Sequence, residues 1–578
     1  MFFPSFFFKM LNPFGSFEYT LIIVALFPVH CFPSCMCLRC VFHRTSSLVV
    51  FFKCSFLPLS FPAEYLFLFF FLSVSFFVFL FPIFSLFTLI MSDNENWNRG
   101  DAWIYDKDGN QPGDIQQAEV VGVTGIDLKE ESPDDSANLA QRRINDMDQE
   151  RAEWVARRRT PKNALHKCVN YILPYGGLLA SGLNLASSSI GAGIIALPSA
   201  FEASGIIMSV IYLVVIAFLT VYSFTLIGIA GQKTGLRNYE QIVRALMGNG
   251  ADYWLAFCLW LLSFGGEVSY AISLKNVVTQ FLDNGAGVPD YLRTIAGQRL
   301  ITSALWLVFM LPLCLPKEIN SLRYFSLIAI LFIIFFVICM IIHASENGLK
   351  DGMRSDLVLF QTGNKAIGGL SIFIFAFICQ LNALEVYNEL YRPSVLRLTL
   401  SAGVGVFLCF TLYFIAGFVG YADFGATVGS LSALQMYNPI ENPLMGVSYV
   451  GIMLKLCVGY GLHMIPVRDA IYHVVGWEVH TLAWWKHACV CTSMATLSLI
   501  GGLFIPRINL VFGLVGGFSG GFIGFVYPAF MYMYSGNWTL GSVGWFHYLS
   551  TYFLLLVGII AIVWGTADTV YGAIIANN

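Results

Sequence analysis

One stretch of this chain, reading SSSIGAGIIALPSAF from residue 187 to 201, collects groups that can bind a small polar molecule. Three consecutive serines precede two glycines and a proline. Glycine and proline both disfavour a continuous helix, and an unwound helix exposes backbone N–H and C=O groups that can bind the charged ends of a substrate. The pattern therefore predicts that the chain unwinds between Ser187 and Pro198. The candidate binding residues of this segment are Ser187, Ser188, Ser189, Gly191 and Gly193.

The same letters allow two other interpretations. The run GAGIIA, from Gly191 to Ala196, matches a dinucleotide-binding fingerprint. That fingerprint needs a strand before it, an amphipathic helix after it and an acidic residue about twenty positions further on, and this sequence supplies none of the three there. Small residues can also serve only to let two helices pack closely. The context excludes the first alternative and leaves the second open.

Ionisable side chains inside apolar runs are a second sign of chemistry. Glu267 lies in SFGGEVSYAISLKN, Glu385 in ICQLNALEVYNEL and His463 in GYGLHMIPV. Such groups are costly in lipid, so a functional role is the default. A buried carboxylate can pair with a cationic substrate or carry a proton, and the sequence leaves both roles open. A histidine can relay protons or simply hydrogen-bond a neighbouring helix. The candidate proton-coupling residues are Glu385, Glu267 and His463.

A second unwound helix is expected, because such helices usually occur in corresponding positions of two inverted repeats. The sequence places it near Phe377 to Asn382, where its backbone would face a substrate's amino group. The positive end of a half-helix at the first break would help to hold the carboxylate. The remaining substrate-binding candidates around these breaks are Phe377, Gln380, Asn382, Glu385, Glu267, Tyr270 and Tyr460.

The elements that must position these residues are membrane helices. The chain is 57% hydrophobic and 12% charged, as expected of a membrane protein. Its apolar runs are continuous and about twenty residues or longer, which predicts helical spans instead of barrel strands. Eleven runs are found, at about 171–201, 206–230, 252–282, 299–316, 322–343, 367–391, 396–421, 446–475, 486–505, 508–534 and 547–572. The net charge of -3 suggests no nucleic-acid partner.

The chain divides into three regions. Residues 1–90 are a phenylalanine-rich, low-complexity leader, and we expect Met91 to be the working start. The alternative is that residues 66–90 form an extra span or a signal anchor. Residues 91–167 are polar and predict a disordered cytoplasmic tail, whose end could form an amphipathic helix. Residues 168–578 form the transmembrane domain. Basic residues just before the first span place the N-terminus in the cytoplasm.

In its motifs the chain resembles the amino acid/auxin permease family, and its long acidic tail before the first span is most similar to the kinetoplastid branch. The resemblance covers about residues 171 to 571. It rests on GLNLASSSIGAGIIALPSAFEASG in the first run, FAFICQLNALEVYNELYRPS in the sixth, MIPVRDAI after the eighth and GGFSGGFIGFVYPAF in the tenth. The resemblance implies an all-α membrane protein with eleven transmembrane helices in an inverted-repeat (LeuT/APC-like) fold, with helices one and six broken around an amino acid site.

The sequence departs from the sodium-coupled members of that family in two places. Asn184 is followed by Ser187 where those members have a second asparagine, and the helix-eight segment CVGYGL lacks their threonine. Proton-coupled or facilitated transport is therefore expected instead of sodium coupling. Glu267 and Glu385 stand where neutral-substrate members have small or apolar residues, which indicates cationic amino acids as candidate substrates.

The sequence thus predicts a secondary amino acid transporter that works by alternating access. Its expected partners are an amino acid substrate, the lipid bilayer and a proton, in the plasma membrane or a vacuolar, lysosome-like membrane. An amino acid-sensing receptor on the same fold is the alternative. No metal cluster and no nucleophile with a base is evident in the spans. We therefore expect no catalytic residues, no metal, no cofactor and no enzyme.

Overall fold

The computed structural model describes residues 21–25, 48–52, 151–153, 155–157, 173–317, 322–350, 352–479 and 481–577. In the N-terminal unit, β1 (Leu21–Ala25) pairs antiparallel with β2 (Leu48–Phe52). The possible span at 66–90 and the expected start at Met91 lie outside the described residues. Of the predicted tail, the structure describes residues 151–153 and 155–157, which are helical, and the Arg151 guanidinium donates to the carbonyl oxygens of Asn388 at 3.3 Å and Leu390 at 2.9 Å.

Within these described residues, ten helices are long and apolar enough to cross a membrane, and a pair bent by 66° makes an eleventh. We number them as spans in chain order. Span 1 comprises Leu178–Ser189 and Gly193–Ser204, and the others are span 2 (Ile206–Thr234), span 3 (Ala251–Asn284), span 4 (Ile295–Cys314), span 5 (Leu322–Glu346), span 6 (Ala366–Glu389), span 7 (Val395–Phe424), span 8 (Pro443–Val475), span 9 (Trp484–Phe504), span 10 (Ile508–Tyr534) and span 11 (Leu540–Gly572).

Several spans are built from more than one segment. Span 6 contains the helices Leu370–Phe377 and Ala383–Glu389 with the 3-10 turn Gln380–Asn382 between them. Wider π-helical turns lie at Trp306–Met310 in span 4, at Gly516–Gly520 and Phe522–Val526 in span 10, and at Ala561–Gly565 in span 11. The shorter helices between spans are Tyr239–Met247, Asp290–Arg293, Asn364–Gly368, Gly425–Ser430 and Ala433–Met436. The predicted all-α class, with eleven spans of which the first and sixth are broken, is confirmed.

Glycines let span 1 lie against span 7 at backbone distance. A Cβ on Gly182 would be 2.9 Å from the carbonyl oxygen of Ser401, and one on Gly405 would be 2.6 Å from the carbonyl oxygen of Gly182. No larger residue fits at such a contact. Span 7 therefore supports the first half of span 1 along its length.

Polar clusters fix the two ends of the helical domain. At one end Asp252, which begins span 3, binds His473 near the end of span 8 with 3.0 Å between Oδ2 and Nε2. At the other end His343 of span 5 binds Asp423 of span 7 at 2.7 Å. In the loop after span 5, a hydrogen bond from the Arg354 guanidinium lowers the pKa of Asp356. Each of these two pairs joins a buried aspartate to a partly exposed histidine at an end of the bundle.

Candidate substrate-binding site

Span 1 unwinds over three residues, Ile190 to Ala192. The first half-helix ends at Ser189 and the second begins at Gly193. The unwound part is shorter than the predicted segment from Ser187 to Pro198, because Pro198 lies inside the second half-helix. A proline there removes only one backbone hydrogen bond, and the rest of the half-helix continues to Ser204.

Span 6 breaks after Phe377. Ile378 has an extended ψ of 114°, and Cys379 has a φ of -142°. The Gln380 side chain stabilises this break, since its Oε1 accepts the Cys379 N–H at 3.0 Å and its Nε2 donates to Ser223 of span 2 at 3.0 Å. Gln380 is therefore occupied in holding the break, which lies within the predicted segment from Phe377 to Asn382.

The two breaks touch each other. A Cβ on Gly193 would be 3.0 Å from the Cα of Ala376, so any larger residue would have to push the two breaks apart. The Ala376 carbonyl oxygen accepts two hydroxyl groups, from Ser189 at 2.7 Å and from Tyr413 of span 7 at 2.7 Å. Spans 1, 6 and 7 are thus joined at one carbonyl group.

Opposite polar ends of two half-helices meet at this junction. The first N–H groups of Gly193–Ser204 have no partner within their own helix, and the N-cap residue Ala192 supplies no side-chain hydrogen bond. The last carbonyl groups of Leu370–Phe377 lack the partners of a continuous helix, and two of them bind other groups, since Phe375 accepts the Ile378 N–H at 3.3 Å and Ala376 accepts the two hydroxyls. The N-terminal end favours an anion and the C-terminal end favours a cation. The junction can therefore bind a small molecule that carries both charges.

Aromatic side chains close the junction. The Tyr270 hydroxyl of span 3 lies against Gly191, and its ring makes an edge-to-face contact with His463 at a centroid distance of 5.1 Å. The Phe377 ring lies edge-to-face on Tyr413 at 5.1 Å. Three of the predicted residues, Tyr270, Phe377 and His463, are therefore close to the breaks.

Glu267 and Tyr460 form a separate buried polar cluster. The Tyr460 hydroxyl donates to the Ala495 carbonyl at 2.9 Å, lies 2.5 Å from the Ser498 hydroxyl and accepts from Trp306 at 3.0 Å. Glu267 is fully buried beside Ser498, and neither carboxylate oxygen makes a regular hydrogen bond to a described residue. The structure places these two residues among spans 3, 4, 8 and 9, not at the breaks.

The remaining candidates have different surroundings. Glu385 is exposed, and its charged neighbours Glu389, Asp469 and Glu240 are all acidic. Asn382 is half-buried in the 3-10 turn. The Ser188 hydroxyl donates to the Asn184 carbonyl of its own helix at 3.0 Å. The Ser187 carbonyl oxygen accepts from the Lys455 ammonium of span 8 at 2.7 Å. Glu385 therefore belongs to a cluster of four carboxylates, of which Asp469 also pairs with Arg468 at 3.3 Å, and not to the closed junction.

Sequence reasoning missed three residues of these clusters. Lys455 is an ionisable residue inside an apolar run, and the rule that singled out Glu267 would have found it. Tyr413 and Trp306 are aromatic residues in apolar surroundings, and nothing in the sequence distinguishes them from ordinary packing residues. Their hydrogen bonds become visible only when the neighbouring spans are in place.

The shared acceptor at Ala376 predicts a non-additive pair of mutations. Tyr413→Phe should lower stability by about 1 kcal/mol, because the Ser189 hydroxyl still satisfies the carbonyl. Adding Ser189→Ala should cost about 1–3 kcal/mol more, since the buried carbonyl is then unpaired. Thermal unfolding of the single and double variants in detergent measures both values. Additive effects of equal size would show that the two hydroxyls do not share the acceptor.

Comparisons with known proteins identify the family of this chain. A family model described as "Transmembrane amino acid transporter protein" matches residues 176–571. Vacuolar amino acid transporter 5 of Schizosaccharomyces pombe is 24% identical over 371 residues, which cover 62% of this chain and 84% of that protein. A crystal structure of MhsT in complex with L-phenylalanine aligns with a TM-score of 0.48 and 13% identity, over 67% of this chain and 98% of that chain. This chain belongs to the transmembrane amino acid transporter family.

Proposed function

We propose that this chain carries an amino acid across its membrane by alternating access, with the substrate's carboxylate at the break of span 1 and its amino group at the break of span 6. The observation that supports this most directly is the contact between an uncapped helix N-terminus and the carbonyl end of another helix. The carboxylate and the ammonium are the groups that amino acids share. A site made of backbone groups therefore selects the class of substrate. Membership of a transporter family also confirms the prediction that the chain is not an enzyme.

Blocked analogues test this assignment of the two substrate groups. The purified protein is reconstituted into proteoliposomes, and competition by twenty amino acids identifies a transported substrate. The amide of that substrate, which lacks the carboxylate charge, and its N-acetyl form, which lacks the ammonium, should each compete at least about tenfold more weakly. Hydrogen bonds to a charged group contribute about 1.5–3 kcal/mol, and 1.4 kcal/mol is a factor of ten.

Two results would contradict the proposal. Equal competition by the blocked forms would show that the backbone junction does not bind the head group. Binding of an amino acid without accumulation or exchange would favour the receptor alternative.

The screen is repeated at two pH values, with and without sodium, because proton-coupled or facilitated transport is proposed in place of sodium coupling.

Cationic amino acids are the second candidate substrates. The cluster of Glu240, Glu385, Glu389 and Asp469 supports them, since clustered carboxylates attract cations. Glu267, by contrast, lies apart from the junction and offers no contact to a substrate side chain there. Competition by arginine or lysine much stronger than by neutral amino acids would favour this candidate. Stronger competition by neutral amino acids would exclude it.

We also propose a vacuolar-type membrane and a cytoplasmic N-terminus. The vacuolar relative and the basic residues before span 1 support this arrangement. It places the Asn537-Trp538-Thr539 sequon, between spans 10 and 11, in the cytoplasm. We therefore expect no glycan at Asn537, which a glycosidase mobility shift measures. An occupied site would reverse the orientation.

A further inference from the structure

A short helical part of the chain before span 1 lies against the end of span 6. The Arg151 guanidinium donates from Nη1 to the carbonyl oxygens of Asn388 at 3.3 Å and Leu390 at 2.9 Å. Val155, one helical turn later, is 1% exposed, and residues four apart lie on one face of a helix. We call residues 151–153 and 155–157 the tail segment. Arg151 and Val155 thus form its covered face.

The opposite face of the tail segment is exposed. The side chains of Glu153 and Arg157 are 54% and 81% exposed, and they pair with each other at 3.3 Å. An exposed pair of this kind adds little stability. The tail segment is therefore amphipathic, and its docking depends mainly on Arg151 and Val155.

The end of span 6 suits a guanidinium group. The last carbonyl groups of the half-helix Ala383–Glu389 lack the partners of a continuing helix, and the C-terminal end of a helix carries a partial negative charge. Two carboxylates on the same half-helix, those of Glu385 and Glu389, add to this negative potential. Arginine side chains can hydrogen-bond such terminal carbonyls. Arg151 therefore caps the second half-helix of span 6.

This half-helix is held only weakly by its own span. It has seven residues, too few to be stable by itself, and the break at Ile378 and Cys379 separates it from the rest of span 6. Just beyond its end, the Tyr391 N–H donates to the Gly176 carbonyl oxygen at 3.1 Å. Residues 388–391 are thus bound both by the tail segment and by the chain that enters span 1.

We propose that residues 388–391 are a binding surface for the tail segment, and that docking of the tail segment fixes the second half-helix of span 6 so that it moves with span 1 during transport. The proposal deepens the proposed transport function and rests on it. The occupant of the surface is a basic amphipathic helix, which the chain itself supplies. When the tail segment is undocked, the half-helix can turn at its break, and movement of the span ends is no longer transmitted to the substrate site.

The first test measures uptake into proteoliposomes by variants of the two faces. The double variant Arg151→Ala/Val155→Asp should take up the substrate at least about fivefold more slowly than the wild type, the lower end of typical coupling between two sites. Arg157→Ala removes an arginine from the exposed face and is the matched control, for which we expect normal uptake. A general effect of the positive charge of the tail would lower uptake in both variants.

A peptide added in trans separates docking from folding. The peptide QERAEWVARRR, residues 149–159, is added to the double variant, whose own tail segment no longer covers the surface. A scrambled peptide of the same composition controls for charge. The natural peptide should reverse the loss of uptake, and the scrambled peptide should not.

Hydrogen exchange tests docking without transport. In detergent, amide exchange at residues 383–390 should be at least about tenfold faster in the double variant than in the wild type, since hydrogen bonds from a charged group are lost. The natural peptide should slow this exchange. If the wild type transports no amino acid, the proposed function fails, while the exchange rates still test the docking surface.

Four results would overturn the inference. These are normal uptake by the double variant, an equal loss in Arg157→Ala, unchanged exchange at residues 383–390, and a natural peptide that acts no better than the scrambled one in either assay. If the double variant does not reach the membrane, Arg151→Ala is assayed in its place and judged by the same outcomes.

Discussion

Replacing Gly193 with leucine should reduce amino acid uptake at least about tenfold while the protein still reaches the membrane. A Cβ at this position would lie 3.0 Å from the Cα and 3.2 Å from the Cβ of Ala376. The nearest atom belongs to the backbone of span 6, which cannot move aside as a flexible side chain can. Overpacking costs about 1–3 kcal/mol, and 1.4 kcal/mol is a factor of ten. Initial uptake rates in proteoliposomes, normalised to the amount of protein, measure the effect.

Gly541→Leu provides the control for this substitution. No heavy atom lies within 4 Å of a Cβ built on Gly541, near the start of span 11. We expect normal uptake from this variant, and intermediate uptake from Gly193→Ala. Full uptake by Gly193→Leu would show that the glycine serves only ordinary helix packing, the alternative that the sequence left open.

Glu267→Gln should abolish the dependence of uptake on a pH gradient. An ionised carboxylate buried without a partner costs several kcal/mol, and Glu267 is fully buried with neither oxygen in a regular hydrogen bond to the described residues. The neutral acid avoids that cost, so the residue can release its proton only when its surroundings change. Glutamine has the same shape but no proton to release. Downhill exchange should survive, whereas accumulation driven by a pH gradient should be lost.

Glu385→Gln separates the two candidate carboxylates. Glu385 is exposed at the surface of the bundle beside three other carboxylates, whereas Glu267 is fully buried. We expect this variant to keep its pH-driven accumulation. Loss of pH-driven uptake in Glu385→Gln, with normal behaviour of Glu267→Gln, would assign the coupling role to Glu385. Unchanged pH-driven uptake in both variants would assign proton coupling to another residue, whereas absence of pH-driven accumulation in the wild type would support facilitated transport.

The spans and the two breaks could be predicted from the sequence because their signals are local. The length of an apolar run matches the thickness of the membrane that the helix must cross. Glycine and proline have low helix propensity and therefore indicate where a helix is weak. The unwound segment predicted for span 1 is longer than the observed one, since the serines before it and Pro198 after it are helical. Local propensity therefore located the break but not its length.

The direction in which each candidate points could not be predicted. Successive residues of a helix differ by about 100°, so Gly459 faces the break while its neighbour Tyr460 faces spans 4 and 9. Glu267 and Tyr270, three positions apart, differ by only about 60° and one turn, yet they contact different spans. The rotation of each helix is set by its neighbours, and a single sequence does not contain that information.

The hydrogen bonds to the Ala376 carbonyl determine which helices can move together as one body. It accepts hydroxyl groups from both Ser189 and Tyr413, so the two half-helices at the breaks and the middle of span 7 share a single fixed point. A rotation that carried spans 1 and 6 away from span 7 would have to break a buried hydrogen bond in an apolar interior. We therefore expect these three spans to rotate together about their common contact, with the sliding surface located elsewhere in the bundle.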